Sequence, residues 1–468
     1  MMGRGKSEQG QFFYAFDLDE VVPPDHLVRK IDALLDLGWI HKELAPYYSH
    51  TGRPSIDPEL MIRMLIVGYV FAIRSERMIC REVQVNLAYR WYCRLGIEDK
   101  IPDHSAFSRA RHERFRESDA LRRVFERVVT ICIVAGLVGG EAFSIDASLI
   151  KADVDKHKRA PGDQPIDWPA PEEASRAVRA YLAALDAARS DDEGEGGDGY
   201  GSSDGGGGKP PKEVSLTDPQ AAWVARKSMD PFFAYDANYL IDNKLGIIVD
   251  AEGTRANRSD EIAVTETMIE RVERRFGLAP QRLAGDTAYG AARLLKWLWE
   301  RGIAPHVPVW DKSKQTGGRF TKEDFVFDRG RNVYICPAGA DLTHSGIVDQ
   351  GRILPYRASK NDCSICALKP QCTTAVARKV SRDIDEDVRD QVRALANTEA
   401  FEVSRRERKK VEMRFAHMKR IHRLDRLRLR GLSGAKDEVL LTATAQNLRR
   451  LAKLLCRSPP RAASVCAA

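Results

Sequence analysis

Two carboxylates stand inside apolar runs of this chain, and a third stands on a strongly basic segment. Asp146 follows Phe143-Ser144-Ile145, and Asp286 follows Leu283-Ala284-Gly285. Glu412 lies in a stretch crowded with Arg and Lys. An ionised carboxylate within a strand costs free energy unless a counter-charge compensates it, and a divalent cation is the usual partner. The fold of this chain therefore has to bring a counter-charge to these acids.

Composition indicates a globular protein with a polyanionic partner. The 468 residues predict more than one domain, and a hydrophobic fraction of 43% is enough to build cores. The net charge of +7 is unevenly placed, because 405–430 is rich in Arg and Lys whereas 191–204 is acidic and Gly-rich. This asymmetry indicates a polyanion, with a solvated helix face as the simpler alternative for a single basic run.

Apolar runs in the chain are short. None reaches the about 18 residues that a transmembrane helix needs, and the first residues lead into no signal-peptide core. We therefore expect no membrane association and a cytoplasmic, nucleoid-associated protein. Nine cysteines at irregular spacing do not indicate a secreted disulfide scaffold.

The first part of the chain, residues 1–140, has helical periodicity. Asp103 is the predicted cap of an Arg-rich helix from Ala106 to Phe115, which carries Arg109 and Arg111. Short helices followed by an Arg-rich one are typical of a helix-turn-helix module, whose last helix enters the major groove. We predict an all-helical N-terminal DNA-binding domain in which both arginines contact DNA. A plain helical bundle with a charged surface is the alternative.

Strand and helix patterns alternate from residue 141 to 309. The order is a strand with Asp146, a hairpin, a helix, a strand with Asp286, a helix and a strand. Residues 190–211, mostly Gly, Ser and Asp, are predicted to be a flexible loop within this part. The order predicts an α/β catalytic core with a ribonuclease-H-like mixed sheet, flanked by helices, that places the two acidic strands side by side. The remaining predicted parts are a Cys-rich insertion at 310–395, the C-terminal helices of the core at 396–456 and a disordered tail at 457–468.

The three acids suit a site for two magnesium ions. Two divalent ions about 3.5–4 Å apart activate the attacking oxygen and stabilise the leaving oxygen in a phosphoryl displacement. Magnesium prefers carboxylate oxygens, so we predict that Asp146 bridges both ions while Asp286 and Glu412 hold one each. Arg408 and Lys419 share a helical stripe with Glu412 and are predicted to hold DNA phosphates. The alternative is an exposed Glu412 that only pairs with Arg408.

Several short segments together resemble one protein family. They are Gly52-Arg53-Pro54, Ser75-Glu76-Arg77, the segment from Asp103 to Arg109, Ile145-Asp146-Ala147-Ser148, Asp218-Pro219, the segment from Asn257 to Asp260, and the segment from Gly285 to Gly290. In these segments the chain resembles a DDE transposase of a bacterial insertion sequence, of the branch with an N-terminal helical domain and a Cys-rich insertion. Many relatives carry Tyr, Arg, Glu and Lys around the last acid. Arg408, Glu412 and Lys419 match that spacing, but Arg405 stands where the Tyr would be, which puts the role of the Tyr in end processing in doubt.

The resemblance implies an activity, cofactors and partners. Such a catalytic core cleaves transposon ends and joins the free 3′-hydroxyls to target DNA, using two Mg²⁺ ions for which Mn²⁺ can substitute. The implied partners are double-stranded DNA, as terminal inverted repeats and as target, and a second copy of the chain in a homodimeric synaptic complex. Arg405 is kept as a predicted DNA contact beside Arg408 and Lys419.

Four cysteines in the insertion have the spacing of a zinc site. Cys363 and Cys366 form a C-x2-C pair, with Cys372 downstream and Cys336 upstream. Four thiolates around one structural Zn²⁺ would hold together an insertion that we predict to be loop-rich, with little core of its own. His344 could replace one ligand, and reduced thiols or a redox pair are the alternatives.

Other acids and other functions compete with this interpretation. Asp153 and Asp155 follow the first acidic strand but lie past its predicted end, and Asp260 is predicted to cap the next helix. A structure-selective DNA nuclease would keep the same core. A DNA-binding protein derived from a transposase would lack catalysis, which the intact set of three acids argues against.

Overall fold

A computed structural model of the chain describes residues 16–49, 51, 55–192, 211–226, 229–309, 319–344, 346 and 351–455. The predicted flexible loop 190–211 lies almost entirely outside the described residues, and the predicted tail 457–468 and the segment Gly52-Arg53-Pro54 lie wholly outside them. Within the described part of the chain, no helix is long and apolar enough to cross a bilayer.

The described N-terminal residues fold into helices, as the sequence predicts. These are α1 Leu18–Val21, α2 Leu27–Asp32, α3 Trp39–Leu44, α4 Pro58–Val70, α5 Glu76–Val85, α6 Leu87–Tyr92, α7 His104–Ala110 and α8 Ala120–Val134. The predicted cap before α7 is confirmed, because the carboxylate of Asp103 accepts a hydrogen bond from the Ser105 backbone N–H at 2.8 Å. The helix then continues into one π-helical turn, Arg111–Phe115, so its predicted second half is irregular.

The predicted mixed α/β sheet is confirmed. The strands up to residue 306 are β1 Ala142–Lys151, β2 Arg159–Pro161, β3 Glu213–Ser215, β4 Ala222–Arg226, β5 Met229–Asp242, β6 Ile247–Arg255, β7 Arg282–Ala284 and β8 Ala304–His306. The main sheet has the order β4-β5-β1-β7-β8, with β6 paired to β5. Strands β4, β5 and β6 pair antiparallel, whereas β1, β7 and β8 pair parallel. Parallel neighbours require crossover connections, which helices supply here.

Three helices lie between these strands in the chain. They are α9 Arg176–Asp192, α10 Arg258–Phe276 and α11 Ala292–Glu300. Helix α10 begins at Asn257, whose side chain accepts a hydrogen bond from the Asp260 backbone N–H at 2.8 Å. The prediction that Asp260 caps this helix is therefore wrong, because Asp260 lies inside the first turn and donates to the residue that caps it.

The insertion forms a sheet of its own. Its strands are β9 Val326–Asp328, β10 Val333–Ile335, β11 Asp341–His344, β12 Ile353–Ala358 and β13 Lys379–Asp383, with short helices α12 Lys360–Ser364 and α13 Lys369–Cys372. These strands pair antiparallel in the simple order β13-β12-β11-β10-β9. Tyr334, Leu342 and Tyr356 are fully buried between them. The prediction of a loop-rich insertion with little core is therefore wrong.

The chain ends in three helices, α14 Glu386–Leu395, α15 Glu399–Arg420 and α16 Gly431–Leu455. Helix α16 is buried against β6. The side-chain amide of Asn447 accepts from the Ile248 N–H at 3.0 Å and donates to the Ile248 carbonyl at 2.8 Å. Close packing requires glycine at 253, since a Cβ there would lie 3.0 Å from the backbone nitrogen of Lys436.

The chain divides into two compact units. Unit 1 comprises Met1–Gly139, Ala147–Gly277 and Glu412–Ala468, and unit 2 comprises Gly140–Asp146 and Leu278–Val411, each as far as it is described. The helical N-terminal residues thus belong to the same unit as β4, β5, β6 and α16. This division does not follow the domain boundaries predicted from the sequence, which stay a prediction.

Candidate active site

Asp146 and Asp286 follow the same register on two neighbouring parallel strands of unit 2. Residues 142, 143 and 144 of β1 pair with residues 282, 283 and 284 of β7. The last register pair is Ser144 with Ala284. Each acid therefore lies two positions beyond it, on the C-terminal side of the paired residues. Side chains alternate along a strand and neighbouring strands lie about 4.8 Å apart, so this register favours carboxylates that face the same edge.

The turn after β7 holds Asp286 close to β1. Its carboxylate accepts a hydrogen bond from the Ala288 backbone N–H at 2.7 Å, which caps the 3₁₀ turn Thr287–Tyr289. A Cβ at Gly285 would lie 3.3 Å from the Ile145 side chain, so glycine lets the two backbones approach. The sequence Gly-Asp-Thr-Ala-Tyr thus builds a tight turn, and this turn presents the acid after a short strand.

The first half of α15 is anchored to β7 and β8 by polar contacts. The hydroxyl of Ser404 accepts a hydrogen bond from Nε of Arg282 at 3.1 Å and lies 2.6 Å from Nδ1 of His306. Glu407 pairs with Arg282 at 3.3 Å. One turn after Ser404, Nη2 of Arg408 lies 3.6 Å from Oδ2 of Asp146, and both side chains are mostly buried. A guanidinium is thus the counter-charge of the first acid in this structure.

Glu412 lies one helical turn beyond Arg408 on the same helix and is exposed. Lys419 is exposed in the last turn of that helix. Arg405 is also exposed, and its guanidinium pairs with Glu402 at 2.8 Å. At 3.6 residues per turn, Arg408 and Glu412 share one face of α15, as the sequence predicts.

Two protein-family models match the chain. Residues 16–113 match the transposase domain (DUF772), and residues 335–452 match the transposase DDE domain. The chain carries a DDE transposase domain. Enzymes with this domain catalyse phosphoryl transfer, generally use divalent metal ions and bind DNA. No curated protein and no solved structure gives a significant match to the chain.

The two matches cover the predicted site residues unevenly. The DDE match includes Arg408, Glu412 and Lys419, but it begins after Asp146 and Asp286. The assignment of those two acids therefore depends on the strand register and on the resemblance of their own segments.

The structure places the two predicted DNA-binding arginines of the N-terminal region differently. Arg109 is exposed on α7. Arg111 is only 2% exposed, and its guanidinium pairs with Glu76 at 3.1 Å. A buried and already paired guanidinium offers no donor to a phosphate, so this burial argues against the predicted DNA contact of Arg111. Arg111 instead ties α5 to the π-helical turn.

The four cysteines of the insertion lie near one another. Burial is the largest cause that raises the pKa of the Cys372 thiol, and Cys363, Cys336 and Cys366 raise it further. However, no three His, Cys, Asp or Glu side chains among the described residues converge into a group that could hold a metal. The predicted zinc site is thus not confirmed.

One acid that the sequence analysis overlooked is buried in β5. Burial, followed by the neighbouring Glu261, raises the pKa of Asp236 to about 7. The signal was present, since Asp236 interrupts an apolar strand just as Asp146 does. Asp153 lies past the end of β1, as the sequence predicts, and Arg426 and Arg430 pair with its carboxylate at 3.6 and 3.3 Å.

Proposed function

We propose that this chain is the transposase of a bacterial insertion sequence, with a ribonuclease-H-like core. It binds the terminal inverted repeats of its element, cleaves the DNA at both ends and joins the 3′-hydroxyls to target DNA. The observation that carries the proposal is the parallel register of β1 and β7, which gives Asp146 and Asp286 equivalent positions, two residues beyond the last register pair. Ligands of open α/β sheets bind at the carboxyl ends of the strands.

The residues present fit divalent cations with hard ligands. Asp146 and Asp286 offer carboxylate oxygens at one edge, and Glu412 is an exposed carboxylate on the helix that carries the contact with Asp146. Arg408 shows that this edge already attracts a cationic group. We assign these three acids to two Mg²⁺ ions, for which Mn²⁺ substitutes. When bound, such ions activate the attacking oxygen and stabilise the leaving oxygen.

The basic side chains of this transposase position DNA. Arg408, which pairs with Asp146 in this structure, would hold a phosphate oxygen of the DNA. Lys419, Arg405 and Arg109 are exposed, so they are free of the burial that excludes Arg111. Each guanidinium or ammonium adds a charge-assisted contact to the phosphate backbone, and these contacts set register and orientation rather than sequence preference.

The transposase acts on both ends of its element, and we assign it a homodimeric complex with double-stranded DNA. Two ends have to be cleaved in concert before a mobile segment can be joined elsewhere. A C2 dimer supplies two equivalent catalytic sites related by symmetry.

The assignment of the three acids is tested by measuring how variants with one substituted acid cleave end DNA. The substrate is a duplex with the inverted repeat that flanks the coding region, and the product is a nick with a free 3′-hydroxyl. Asp146→Asn, Asp286→Asn and Glu412→Gln should each lower Mg²⁺-dependent cleavage by at least about 100-fold, since a metal supplies several kcal/mol of transition-state stabilisation. End binding should change little. The matched control is Asp155→Asn, whose carboxylate accepts a hydrogen bond from the His157 N–H at 3.0 Å.

Equal cleavage by wild type and Asp286→Asn would remove Asp286 from the site. Cleavage of branched DNA of any sequence, without preference for the inverted repeat, would favour a structure-selective nuclease. Sequence-specific binding without any cleavage would favour a non-catalytic DNA-binding protein.

A structural zinc ion at Cys336, Cys363, Cys366 and Cys372 is a separate proposal. It is supported by the C-x2-C spacing and by the effect of the neighbouring thiols on Cys372. Metal analysis of protein purified without chelator should give about one zinc per chain. If the protein folds fully without zinc, the apolar core of the insertion is sufficient to hold it together. That result would contradict the proposal of a structural zinc ion.

A further inference from the structure

One face of the sheet in unit 2 carries Asp146 together with a buried histidine. Ser144 of β1 and His306 of β8 both pair with Ala284 of β7, the strand that lies between them. In a parallel sheet, paired residues point to the same face, and every second residue along a strand does so as well. Asp146, two residues after Ser144, therefore lies on the face to which His306 belongs.

Helix α15 crosses this face from β8 to β1. The hydroxyl oxygen of Ser404 lies 2.6 Å from Nδ1 of His306 on β8 and 3.1 Å from Nε of Arg282 on β7. One turn later, Nη2 of Arg408 lies 3.6 Å from Oδ2 of Asp146 on β1. The contacts of Ser404 therefore precede the contact of Arg408 by one turn on the same side of the helix.

Ser404 is a polar residue on the buried stripe of α15. It is only 1% exposed, and the buried residues Phe401 and Val411 on the same stripe are apolar. A buried hydroxyl costs free energy unless it forms hydrogen bonds, so an apolar residue would bury this helix at least as well. Apolar packing is non-directional, whereas a satisfied hydrogen-bond network specifies one arrangement of the groups that it joins. The serine therefore indicates that the orientation of α15 has to be fixed.

Arg282 determines the direction of the hydrogen bond between Ser404 and His306. A guanidinium only donates, so the serine oxygen accepts from Arg282, and the serine hydrogen is left for Nδ1 of the imidazole. Nδ1 accepts this hydrogen when the imidazole is neutral and carries its own proton on Nε2. Burial, followed by the charge of Arg282, lowers the pKa of His306, while Glu407 opposes the effect. The neutral acceptor is therefore the form present near pH 7.

We propose that Ser404 and His306 are positioning residues for DNA cleavage. Their hydrogen bond fixes the rotation of α15 about its axis, and this rotation holds the guanidinium of Arg408 at the carboxylate of Asp146. A rotation by one residue, about 100°, would turn Arg408 away from the sheet. Neither positioning residue is assigned a contact with DNA or with a cation. The inference rests on the proposed function, because Asp146 and Arg408 act on DNA only in that assignment.

The test measures the maximal rate of end cleavage and the KM for end DNA separately in the full chain. His306→Ala and Ser404→Ala should each lower the maximal rate at least about tenfold, as expected when the support of an active-site group is lost. The KM should stay within about twofold of wild type, since no DNA contact is removed. Leu342→Ala is the control for lost stability, because it empties a buried site in the core of the insertion. It should lower the melting temperature and leave the maximal rate within about twofold.

Two further variants separate positioning from packing. His306→Asn loses the same ring as His306→Ala, but its Oδ1 replaces Nδ1 as the acceptor for Ser404, so it should recover the wild-type rate to within about threefold. In an Arg408→Ala background, Ser404→Ala should lower the rate less than about twofold further, because the group that it positions is already gone. The inference is wrong if His306→Asn is as slow as His306→Ala, or if Ser404→Ala slows cleavage equally in both backgrounds.

Hydrogen exchange distinguishes a failure of this inference from a failure of the proposed function. In protein without DNA or metal, the α15 amides from Phe401 to Val411 should exchange faster in Ser404→Ala and His306→Ala than in wild type and His306→Asn. Equal exchange in all four proteins would overturn the role of the hydrogen bond. If wild type cleaves no DNA while the exchange rates differ as expected, the proposed function is contradicted and the orientation of α15 by Ser404 and His306 still holds.

Discussion

Nη2 of Arg408 lies 3.6 Å from Oδ2 of Asp146. The contact joins the helix that carries the last predicted acid to the strand that carries the first one. The contact thus places a positive charge beside this carboxylate.

Removal of this guanidinium should impair catalysis more than folding. Arg408→Ala should lower Mg²⁺-dependent end cleavage by about 100-fold, a typical loss for one positioned donor in an active site. Arg406→Ala is the matched control. Arg406 is exposed on the same helix, and its Nε donates a hydrogen bond to the Glu402 carbonyl. Gel-based nicking assays on both variants measure the difference. An equal loss in both would mean that Arg408 contributes only general positive charge.

A buried ion network should dominate the stability of unit 1. Asp250 is 2% exposed and pairs with both Arg122 and Arg271. Asp250→Ala leaves two mostly buried guanidinium groups with less counter-charge, so the free energy of unfolding should fall by about 3–5 kcal/mol. Urea denaturation followed by circular dichroism measures it. The exposed Asp230→Ala should change the same quantity by less than about 0.5 kcal/mol, and a comparable loss there would contradict the prediction.

Asp236 should make the protein less stable as pH rises. Burial, followed by Glu261, raises the pKa of Asp236 from 3.8 to about 7 in the folded chain, while Arg226 and Lys419 oppose the rise. The stabilising contribution of the protonated carboxyl is complete below pH 3.8 and is lost as pH rises to about 7. Asp236→Asn cannot ionise, so its advantage over wild type should grow from pH 5 to pH 8. Thermal unfolding across that range checks it; a constant difference would show that Asp236 does not titrate there.

His422 should make the protein less stable as pH falls. Burial lowers the pKa of His422 from 6.5 to about 4, with the neighbouring His417 and Arg449 adding to the effect. Its imidazole lies 3.0 Å from the Tyr69 carbonyl and 3.1 Å from the Gln446 side chain. Stability from the neutral imidazole is present above pH 6.5 and is lost as pH falls towards 4. His422→Gln should therefore flatten the decline in melting temperature between pH 6.5 and 4.5. An unchanged slope would assign the acid sensitivity to other groups.

Strands marked by a long apolar run could be predicted from the sequence. The sequence predicted a strand at Asp146 and another at Asp286, because an acid at the end of an apolar run marks a strand that emerges from a core, and the structure has β1 at Asp146 and β7 just before Asp286. The helical cap at Asp103 was found by its local chemistry. The partners of individual side chains could not be predicted from the sequence. Arg109 and Arg111 look alike there, and it is the packing of Arg111 against Glu76 in the structure that distinguishes them.

The sheet of the insertion was missed for a related reason. Strands of three to six residues such as Val333–Ile335 are too short to establish a period of two. Their burial depends on aromatic partners distant in sequence, such as Tyr334 on Tyr356. The cysteine spacing drew attention to metal binding, whereas these aromatic residues form the core.

Strand β1 finds its parallel partner late in the chain: Ser144 and Ala284 are 140 residues apart. During translation, β1 leaves the ribosome long before β7 exists, and pairing over such a separation is slow. A nascent or truncated chain that stops short of β7 consequently lacks Asp286, and its β1 has no parallel partner. On the proposed assignment of the two acids, DNA cleavage therefore requires a chain that extends past β7.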